Sequence, residues 1–218
     1  MKDIAMKTTL LIVRHGESLG NRDERFLGHT DLGLSELGHR QAAALAEALR
    51  DRHIDVVYSS DLCRAQQTVT PTARAHGLDV IPTEKLREIY AGEWENRLFD
   101  DLFVYWPEER FLWKNDIGRA CPPGGESVAD LYARANAAFD EIAAREEGRT
   151  VLIGTHATPV RALTARLLGS GVLGMADVPW APNASITTVI YENGTPRLEG
   201  RADATHLAEL QNEPPKKI

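Results

Sequence analysis

Apolar and amphipathic stretches alternate along most of the chain. Short apolar runs that suit buried strands occupy residues 8–13, 55–59, 79–81 and 150–154. Helices are predicted, from apolar residues at helical spacing or from flanking signals, over residues 35–52, 61–76, 127–147 and 159–168. The expected N-caps of the first three are Ser35, Asp61 and Ser127. This order predicts an α/β fold, a three-layer sandwich in which a mostly parallel sheet carries helices on both faces.

Two parts of the chain depart from this alternation. Residues 185–191 alternate as a strand, and the turn residues that follow predict a hairpin partner at about 197–200. Between about 89 and 125 the chain is rich in tryptophan, proline and glycine, which we interpret as a small, partly helical cap insertion. We expect one domain over residues 1–218, with a polar tail over about 205–218 that frays after Leu210.

Composition narrows the functional classes. The 218 residues are 43% hydrophobic and 26% charged, as in ordinary globular domains. The net charge of -7 argues against nucleic-acid and anionic-membrane partners, although it allows a local basic pocket. No apolar run suits a signal peptide or a membrane span, so we expect a cytoplasmic protein, and a homodimer is compatible with the chain. Cys63 and Cys121 lack a metal-type spacing, and we expect reduced thiols while a disulfide stays open.

Two of the predicted strands end in the same way. Arg14 and His15 follow the first apolar run, and His156 follows the run at 150–154. In an open α/β sheet the carboxyl ends of parallel strands form the ligand-binding edge. If the two strands are neighbours, the two imidazoles face one another there. A histidine beside an arginine at such an edge indicates chemistry on an anion, most simply a phosphoryl group.

Arg64 and Glu88 are further candidates with weaker individual signals. Arg64 lies just inside a predicted helix, where the helix N-terminus and a guanidinium both favour an anion, although a lone helix arginine is more often solvated. Glu88 follows the third strand region and suits a proton donor. The nearby carboxylates Glu84, Glu93 and Glu95 compete for that role, and the residues alone do not choose between them.

Taken in order, these motifs resemble the histidine phosphatase superfamily, in its phosphoglycerate mutase-like branch. The resemblance runs from about Thr8 to about Tyr191. It rests on Val13-Arg14-His15-Gly16-Glu17-Ser18 with Asn21, Arg25-Phe26-Leu27-Gly28-His29-Thr30-Asp31, Leu34-Ser35 with Gly38, the segment 59–68, Glu88 with Gly92 and Trp94, Pro123-Gly124-Gly125-Glu126-Ser127, and His156.

The resemblance implies a metal-independent mechanism in which His15 accepts the phosphoryl group and Glu88 moves the leaving-group proton. It also implies that the transferring oxygens are held by Arg14, Arg64 and His156, with a further hydrogen bond from Asn21. We add Arg25 and Thr30 of the first loop to the substrate-binding residues. Two arginines near His15 are expected to lower its pKa and keep it nucleophilic. No metal and no cofactor are implied.

The family contains hydrolases and mutases, so the resemblance alone does not say which of the two activities this chain has. Cofactor-dependent mutases carry a longer, basic insertion after the Glu88 motif, whereas residues 97–121 are few and hold few cations here. We therefore predict a phosphatase that acts on a small phosphomonoester, with a phosphoglycerate mutase as the alternative. A non-catalytic phospholigand-binding module is less favoured, because His15 and a proton donor are both present.

Two residues depart from the pattern of many relatives. Ala157 and Asn96 stand where many relatives have glycine, and we expect Asn96 to tolerate a left-handed turn. Whether the cap tryptophans line the pocket or only pack within the cap stays open.

Overall fold

A computed structural model describes residues 7–210. The strands are β1 (Lys7–Arg14), β2 (Arg25–Phe26), β3 (Val56–Ser60), β4 (Val80–Thr83), β5 (Arg97–Leu98), β6 (Thr150–Thr155), β7 (Ile186–Glu192) and β8 (Thr195–Asp203). The α-helices are α1 (Leu19–Arg22), α2 (Glu36–Ala48), α3 (Cys63–Ala75), α4 (Phe99–Tyr105), α5 (Pro107–Asn115), α6 (Val128–Arg145) and α7 (Ala157–Leu167). Short 3-10 turns occupy Glu84–Leu86, Gly92–Trp94, Ile117–Arg119, Leu173–Asp177 and Thr205–Leu210.

Six strands form the main sheet in the order β4-β3-β6-β1-β7-β8. The first four strands in this order, β4, β3, β6 and β1, run parallel to one another. β7 pairs antiparallel with β1, and β8 pairs antiparallel with β7. The prediction of a mostly parallel sheet and a C-terminal hairpin is therefore confirmed. The central place of β1 and β6 brings the carboxyl ends of two strands side by side in the middle of the sheet.

The alternation of side chains along β1 divides the core into two layers. Leu10 and Ile12 pack with residues of α6 and α7 on one face of the sheet. Leu11 and Val13 pack with residues of α2 and α3 on the opposite face. Helices thus cover both faces, which confirms the three-layer sandwich.

The inserted segment builds a third core of its own. Trp94, Phe99 and Trp113 pack there with Phe26 from β2, and the cluster reaches α6 and α7. The segment is partly helical, as expected, because α4 and α5 lie within it.

The two ends of this segment meet backbone to backbone. A Cβ atom on Gly92 would lie 2.2 Å from the carbonyl oxygen of Pro123, and one on Gly125 would lie 2.4 Å from that of Tyr90. Hydrogen bonds between Glu93 N and Pro123 O, at 2.8 Å, and between Glu126 N and Tyr90 O, at 2.8 Å, close the same junction. Glycine is therefore required on both sides of this contact, since no side chain fits between the two chains.

Several helix ends differ from the prediction. The N-cap of α3 is Leu62, without a side-chain hydrogen bond, because the carboxylate of Asp61 is paired with Arg87 instead. The segment between β1 and α2, where the sequence predicted no element, holds α1 and β2. Ser35 and Ser127 cap α2 and α6 as expected.

The C-terminal segment begins with a packed turn. Leu207, in the turn Thr205–Leu210, is buried, and the carbonyl oxygen of Leu210 accepts a 2.8 Å hydrogen bond from Gln41. The frayed tail predicted after Leu210 lies outside the described residues.

Candidate active site

The register of β1 against β6 brings the two predicted histidines together. Arg14 pairs with Thr155, so His15 and His156 leave the two strands at the same level of the sheet. Their ring centroids are 5.2 Å apart, and both side chains are buried. The backbone N–H of His15 also donates to the carbonyl oxygen of Thr155 at 2.8 Å. The expected juxtaposition of the two imidazoles is present.

The hydrogen bond of the His15 ring defines its tautomer. Its Nδ1 lies 2.7 Å from the carbonyl oxygen of Gly16, which can only accept, so Nδ1 carries the proton. Burial lowers the pKa of His15 well below its usual range, and the nearby Arg64 and Arg14 lower it further. The neutral ring therefore keeps an unprotonated Nε2. The lowered pKa was predicted from the arginines, but burial contributes more than they do.

Arg14 and Arg64 are buried guanidinium groups held by backbone carbonyls. Arg14 Nη1 donates to the carbonyl oxygen of Ala181 at 2.6 Å. Arg64 donates from Nη1 to Thr30 O at 2.9 Å and from Nη2 to Gly28 O at 2.7 Å. Burial lowers the pKa of Arg14 to about 10, an effect that the charge of Glu88 opposes. Neither guanidinium is paired with a carboxylate by a hydrogen bond, so each keeps charge for a ligand.

His156 is oriented by a residue that the sequence did not single out. Its Nε2 lies 2.8 Å from Ser60 Oγ, and that oxygen accepts the Leu62 N–H at 3.3 Å. The Ser60 hydroxyl can donate its proton to Nε2, and the His156 proton then lies on Nδ1. Burial lowers the pKa of His156 well below its usual range, with Arg64 as the next cause. His156 is therefore neutral, and with its proton on Nδ1 it is a hydrogen-bond donor at that atom.

Three buried donor nitrogens around His15 have no partner. They are Arg14 Nε, Arg64 Nε and His156 Nδ1. A buried donor without a partner costs about 1–3 kcal/mol, so native proteins rarely keep several in one place without a use for them. An anion with several oxygen atoms would satisfy all three at once.

Glu88 is the carboxylate that the fold brings to this site. It lines the same opening as His15, and its Oε2 accepts the Thr158 N–H, near the start of α7, at 3.2 Å. Glu84 and Glu93 are exposed and do not line the opening. Of the four carboxylates that the sequence offered, Glu88 is the one that lines the opening.

Glu95, the remaining competitor, is occupied elsewhere. Its Oε1 accepts the N–H groups of His29, at 2.7 Å, and of Ala91, at 3.0 Å. Its Oε2 accepts both the N–H, at 2.7 Å, and the hydroxyl, at 2.5 Å, of Thr30. Glu95 therefore clamps the loop whose carbonyl groups hold Arg64. Thr30, which we assigned to substrate binding, contacts Glu95 and Arg64 and does not line the opening.

The segment that carries Glu88 is fixed from two sides. Arg134 donates to the carbonyl oxygens of Lys85, at 2.9 Å, and of Arg87, at 3.1 Å, and forms an ion pair with Glu126 at 2.8 Å. His29 Nε2 lies 2.9 Å from the Glu88 carbonyl oxygen. Arg134 had no sequence signal, because the carbonyl groups of Lys85 and Arg87 that it holds are 49 and 47 residues away along the chain.

Asn21 lines the opening and is held in place by its side-chain oxygen. That Oδ1 accepts hydrogen bonds from Ser18 N at 3.1 Å, from Ser18 Oγ at 3.0 Å and from Asn183 Nδ2 at 3.2 Å. The Asn183 amide also donates to the carbonyl oxygen of His15 at 2.9 Å. Asn183 was missed because the turn before β7 has no motif that marks it.

The opening beside His15 is partly aromatic. It encloses about 530 Å³, part of it open to solvent, and is lined by Arg25 and by the rings of Phe26, Phe99, Trp113 and Trp180. Trp113 both lines the opening and packs in the cap core, whereas Trp94 only packs. Trp180 was not singled out in the sequence.

The two departures from the family pattern are accommodated. Asn96 adopts the expected left-handed conformation, with φ of 58°. Ala157 is the first residue of α7 and lines the opening, so its methyl group is tolerated there.

Other ligand and membrane features were searched over the described part of the chain. Within residues 7–210 no three His, Cys, Asp or Glu side chains group as a metal site would require. In the same range, no helix combines the length and the apolarity that a bilayer crossing needs. Cys63 and Cys121 are both free thiols.

Comparison with known proteins gives consistent matches. The family model of the histidine phosphatase superfamily (branch 1) matches residues 10–204. Phosphoserine phosphatase 1 of Hydrogenobacter thermophilus is 37% identical over 160 residues, which cover 73% of this chain and 76% of that protein. A probable phosphoglycerate mutase GpmB of Yersinia pestis is 37% identical over 158 residues, 72% of this chain and 74% of that protein. The solved structure of Bacillus stearothermophilus YhfR superposes with a TM-score of 0.88 at 29% identity, covering 92% of this chain and 99% of that one.

Proposed function

We propose that this chain, which belongs to the histidine phosphatase superfamily (branch 1), is a metal-independent phosphatase that hydrolyses a small phosphomonoester through a phosphohistidine. The observation that carries the proposal is the set of three unpartnered buried donors around a neutral histidine. Phosphoryl transfer depends mainly on positioning and on charge stabilisation. Arg14 and Arg64 supply the positive charge for this purpose, and His15 supplies the nucleophile.

In the first half-reaction, Arg14, Arg64 and His156 hold the non-bridging oxygens, and Asn21 adds a hydrogen bond. The lone pair on His15 Nε2 attacks phosphorus while the bond to the ester oxygen breaks. The Glu88 carboxylic acid gives its proton to that oxygen, and the alcohol leaves. The Nδ1–H bond to Gly16 keeps the ring oriented and spreads the positive charge that develops on it.

In the second half-reaction, the Glu88 carboxylate takes a proton from a water molecule as its oxygen attacks phosphorus. The bond from phosphorus to His15 Nε2 breaks, which regenerates neutral His15 and inorganic phosphate. Glu88 acts as acid and then as base, so one carboxyl group serves both steps.

A mutase is the second candidate, and the likeness to a probable phosphoglycerate mutase favours it. The two activities share the first half-reaction and differ in what attacks the phosphohistidine. Hydrolysis is preferred here because phosphoglycerate transfer needs a second anion site for the carboxylate. Beyond Arg14 and Arg64, the described residues of the opening hold one further cation, Arg25, which donates to Asn96 O at 2.7 Å, and the short segment 97–121 holds few cations of its own.

The proposal includes the location of the protein, its domain organisation and its partners. It acts as one domain in the cytoplasm on a small molecule, without nucleic-acid or membrane partners, in line with the net charge of -7. A homodimer is compatible with this setting.

The decisive experiment is phosphate release from a panel of monoesters by the wild type and by His15→Ala. We expect His15→Ala to lose about 10⁴-fold or more in kcat, as when a covalent nucleophile is removed. His53→Ala is the matched control, because His53 is exposed and pairs only with Asp55. Wild-type protein quenched during turnover should carry an acid-labile phosphoryl group that His15→Ala lacks.

Two results would contradict the proposal. Retained activity in His15→Ala excludes the phosphohistidine mechanism. Interconversion of 2- and 3-phosphoglycerate with bisphosphoglycerate present, without phosphate release from any ester, identifies a mutase instead.

A further inference from the structure

Much of the opening beside His15 is a preformed aromatic surface. Phe26 meets Trp113 edge-on at 5.0 Å between ring centroids and Phe99 at 5.9 Å. Trp113 in turn stacks on Trp180, with centroids 6.2 Å apart and planes inclined by 22°. Rings that already support one another lose little freedom when a ligand packs on them. The surface therefore suits recognition of an apolar face.

Trp180 is backed by a fixed cation. The guanidinium carbon of Arg161 lies 4.2 Å from the centroid of the Trp180 ring. Arg161 is itself held, because its Nε donates to Met175 O at 2.7 Å and its Nη2 to Ala176 O at 3.1 Å. Arg161 does not line the opening, so it acts on a ligand only through Trp180 and is a positioning residue.

The polar groups of this part of the opening suit a neutral ligand. Apart from the two phosphoryl-binding arginines, Arg25 is the cation among the described lining residues, and most of the lining around it is apolar. An alcohol half with its own carboxylate would bury that charge beside indole rings, which is unfavourable.

We infer that Trp113 and Trp180 form a ring-binding subsite for the alcohol half of the substrate. The preferred substrates are phosphomonoesters in which that half carries a ring, rather than a second anion as in the phosphoglycerates. This inference rests on the proposed function and specifies its substrate class. Packing a ring on the indole pair should favour such esters by about five- to tenfold over esters that lack the ring.

The test compares kcat/KM for benzyl phosphate, ethyl phosphate and 3-phosphoglycerate, all of which release a primary alcohol. We expect benzyl phosphate to exceed the other two by about five- to tenfold or more. Glucose 6-phosphate shows whether a sugar ring serves as well as an aromatic one. Inhibition by benzylphosphonate against ethylphosphonate repeats the comparison for binding alone and needs no variant.

Variants assign the preference to the indole pair. Trp180→Leu should reduce the ratio of benzyl to ethyl phosphate kcat/KM by about fivefold. Arg161→Lys should reduce it less and through KM, because the lysine cannot stack its planar group on the ring. Trp106→Leu is the matched control with an unchanged ratio, since Trp106 belongs to the cap but does not line the opening.

The outcomes separate this inference from the proposed function. Phosphate release with no preference for the ring, or with 3-phosphoglycerate preferred, overturns the subsite and leaves hydrolysis intact. An unchanged substrate ratio in folded Trp180→Leu overturns the assignment to Trp180. Release of phosphate from none of the esters overturns the proposed function itself.

Discussion

The two sides of the opening are built on different principles. Around His15, buried polar groups are held by backbone carbonyls and keep donors without partners. On the other side, aromatic rings of β2, α4, α5 and the turn before β7 pack against one another. The first region is organised to bind the phosphoryl group, and the second is organised to fit the shape of the alcohol half of the substrate.

The difference teaches where chemistry and specificity reside in this fold. The polar side depends on the sheet, because the register of β1 and β6 sets His15 against His156. The aromatic side depends largely on the inserted segment, whose core is separate from the two sheet layers. A substitution on the polar side should therefore lower kcat/KM equally for all esters, whereas one on the aromatic side should change the ratio of kcat/KM between esters with and without a ring.

The largest expected effect falls on Glu88, which faces both sides. Glu88→Gln cannot donate a proton to the leaving oxygen, so we expect kcat/KM for ethyl phosphate, which reports the first half-reaction alone, to fall about 10²- to 10⁴-fold. The loss should be much smaller for 4-nitrophenyl phosphate, whose leaving group needs little protonation. Phosphate release from both esters by stopped assay checks this. Glu84→Gln, an exposed carboxylate in the preceding turn, serves as control. Equal losses for the two esters would rule out the acid role.

Arg64 tests the polar side alone. Arg64→Lys keeps the charge but loses the planar fork, and we expect kcat/KM to fall about 10²-fold for every ester in the panel. The same fall for substrates with and without a ring is the feature to measure. Arg74→Lys, an exposed position at the other end of α3, is the matched control. A loss confined to ring-bearing esters would break the division between the two sides.

Glu95 tests whether a residue of the inserted segment can act on the polar side. Glu95→Gln replaces one accepting oxygen by a donor and should loosen the loop whose carbonyl groups hold Arg64. We expect kcat/KM to fall about tenfold, equally for benzyl and ethyl phosphate, in line with one or two lost charge-assisted hydrogen bonds. Glu93→Gln, exposed in the same turn, should leave both values unchanged. A changed ratio of the two esters would place Glu95 on the aromatic side instead.

The smallest expected effect is a pH dependence of stability that comes from the polar side. Burial lowers the pKa values of His15 and His156, so below about pH 6.5 the unfolded chain binds protons that the folded one does not. The free energy of unfolding therefore keeps its full value above about pH 6.5, as far as these two histidines are concerned, and decreases as the pH falls below it. The loss is at most about 1.4 kcal/mol per pH unit for each histidine.

Urea unfolding at pH 7.5 and 5.5 measures this dependence. His15→Asn should reduce the fall in unfolding free energy between the two pH values, because one of the two buried histidines is gone. His53→Asn, at an exposed position, should not change it. An identical pH dependence in the wild type and in His15→Asn would show that His15 does not take part.

The sequence predicted features that depend on local patterns and missed features that depend on contacts between residues far apart along the chain. Periodicity placed His15 and His156 at strand ends, because strand and helix patterns are local. The structure was needed to see that Glu88 lines the opening while Glu95 holds the loop of His29 and Thr30, since both lie in one short segment and these contacts are distant along the chain. Ser60, Asn183 and Trp180 were missed for the same reason. Each acts on the site through a contact with no local pattern to mark it.

The junction of Gly92 and Gly125 has a consequence for how such a protein can diversify. Because the insertion is closed at its base by backbone contacts and by the pairing of β5 with β2, its length and sequence can change beyond β5 without pulling on the strand ends. Residues 100–120 behave as an exchangeable module that carries Trp113 but neither Glu95 nor Trp180. Transplanting this module from a relative with a different substrate should transfer the share of the selectivity that depends on Trp113 and spare the phosphoryl chemistry, which would let one catalytic frame give rise to many phosphatases.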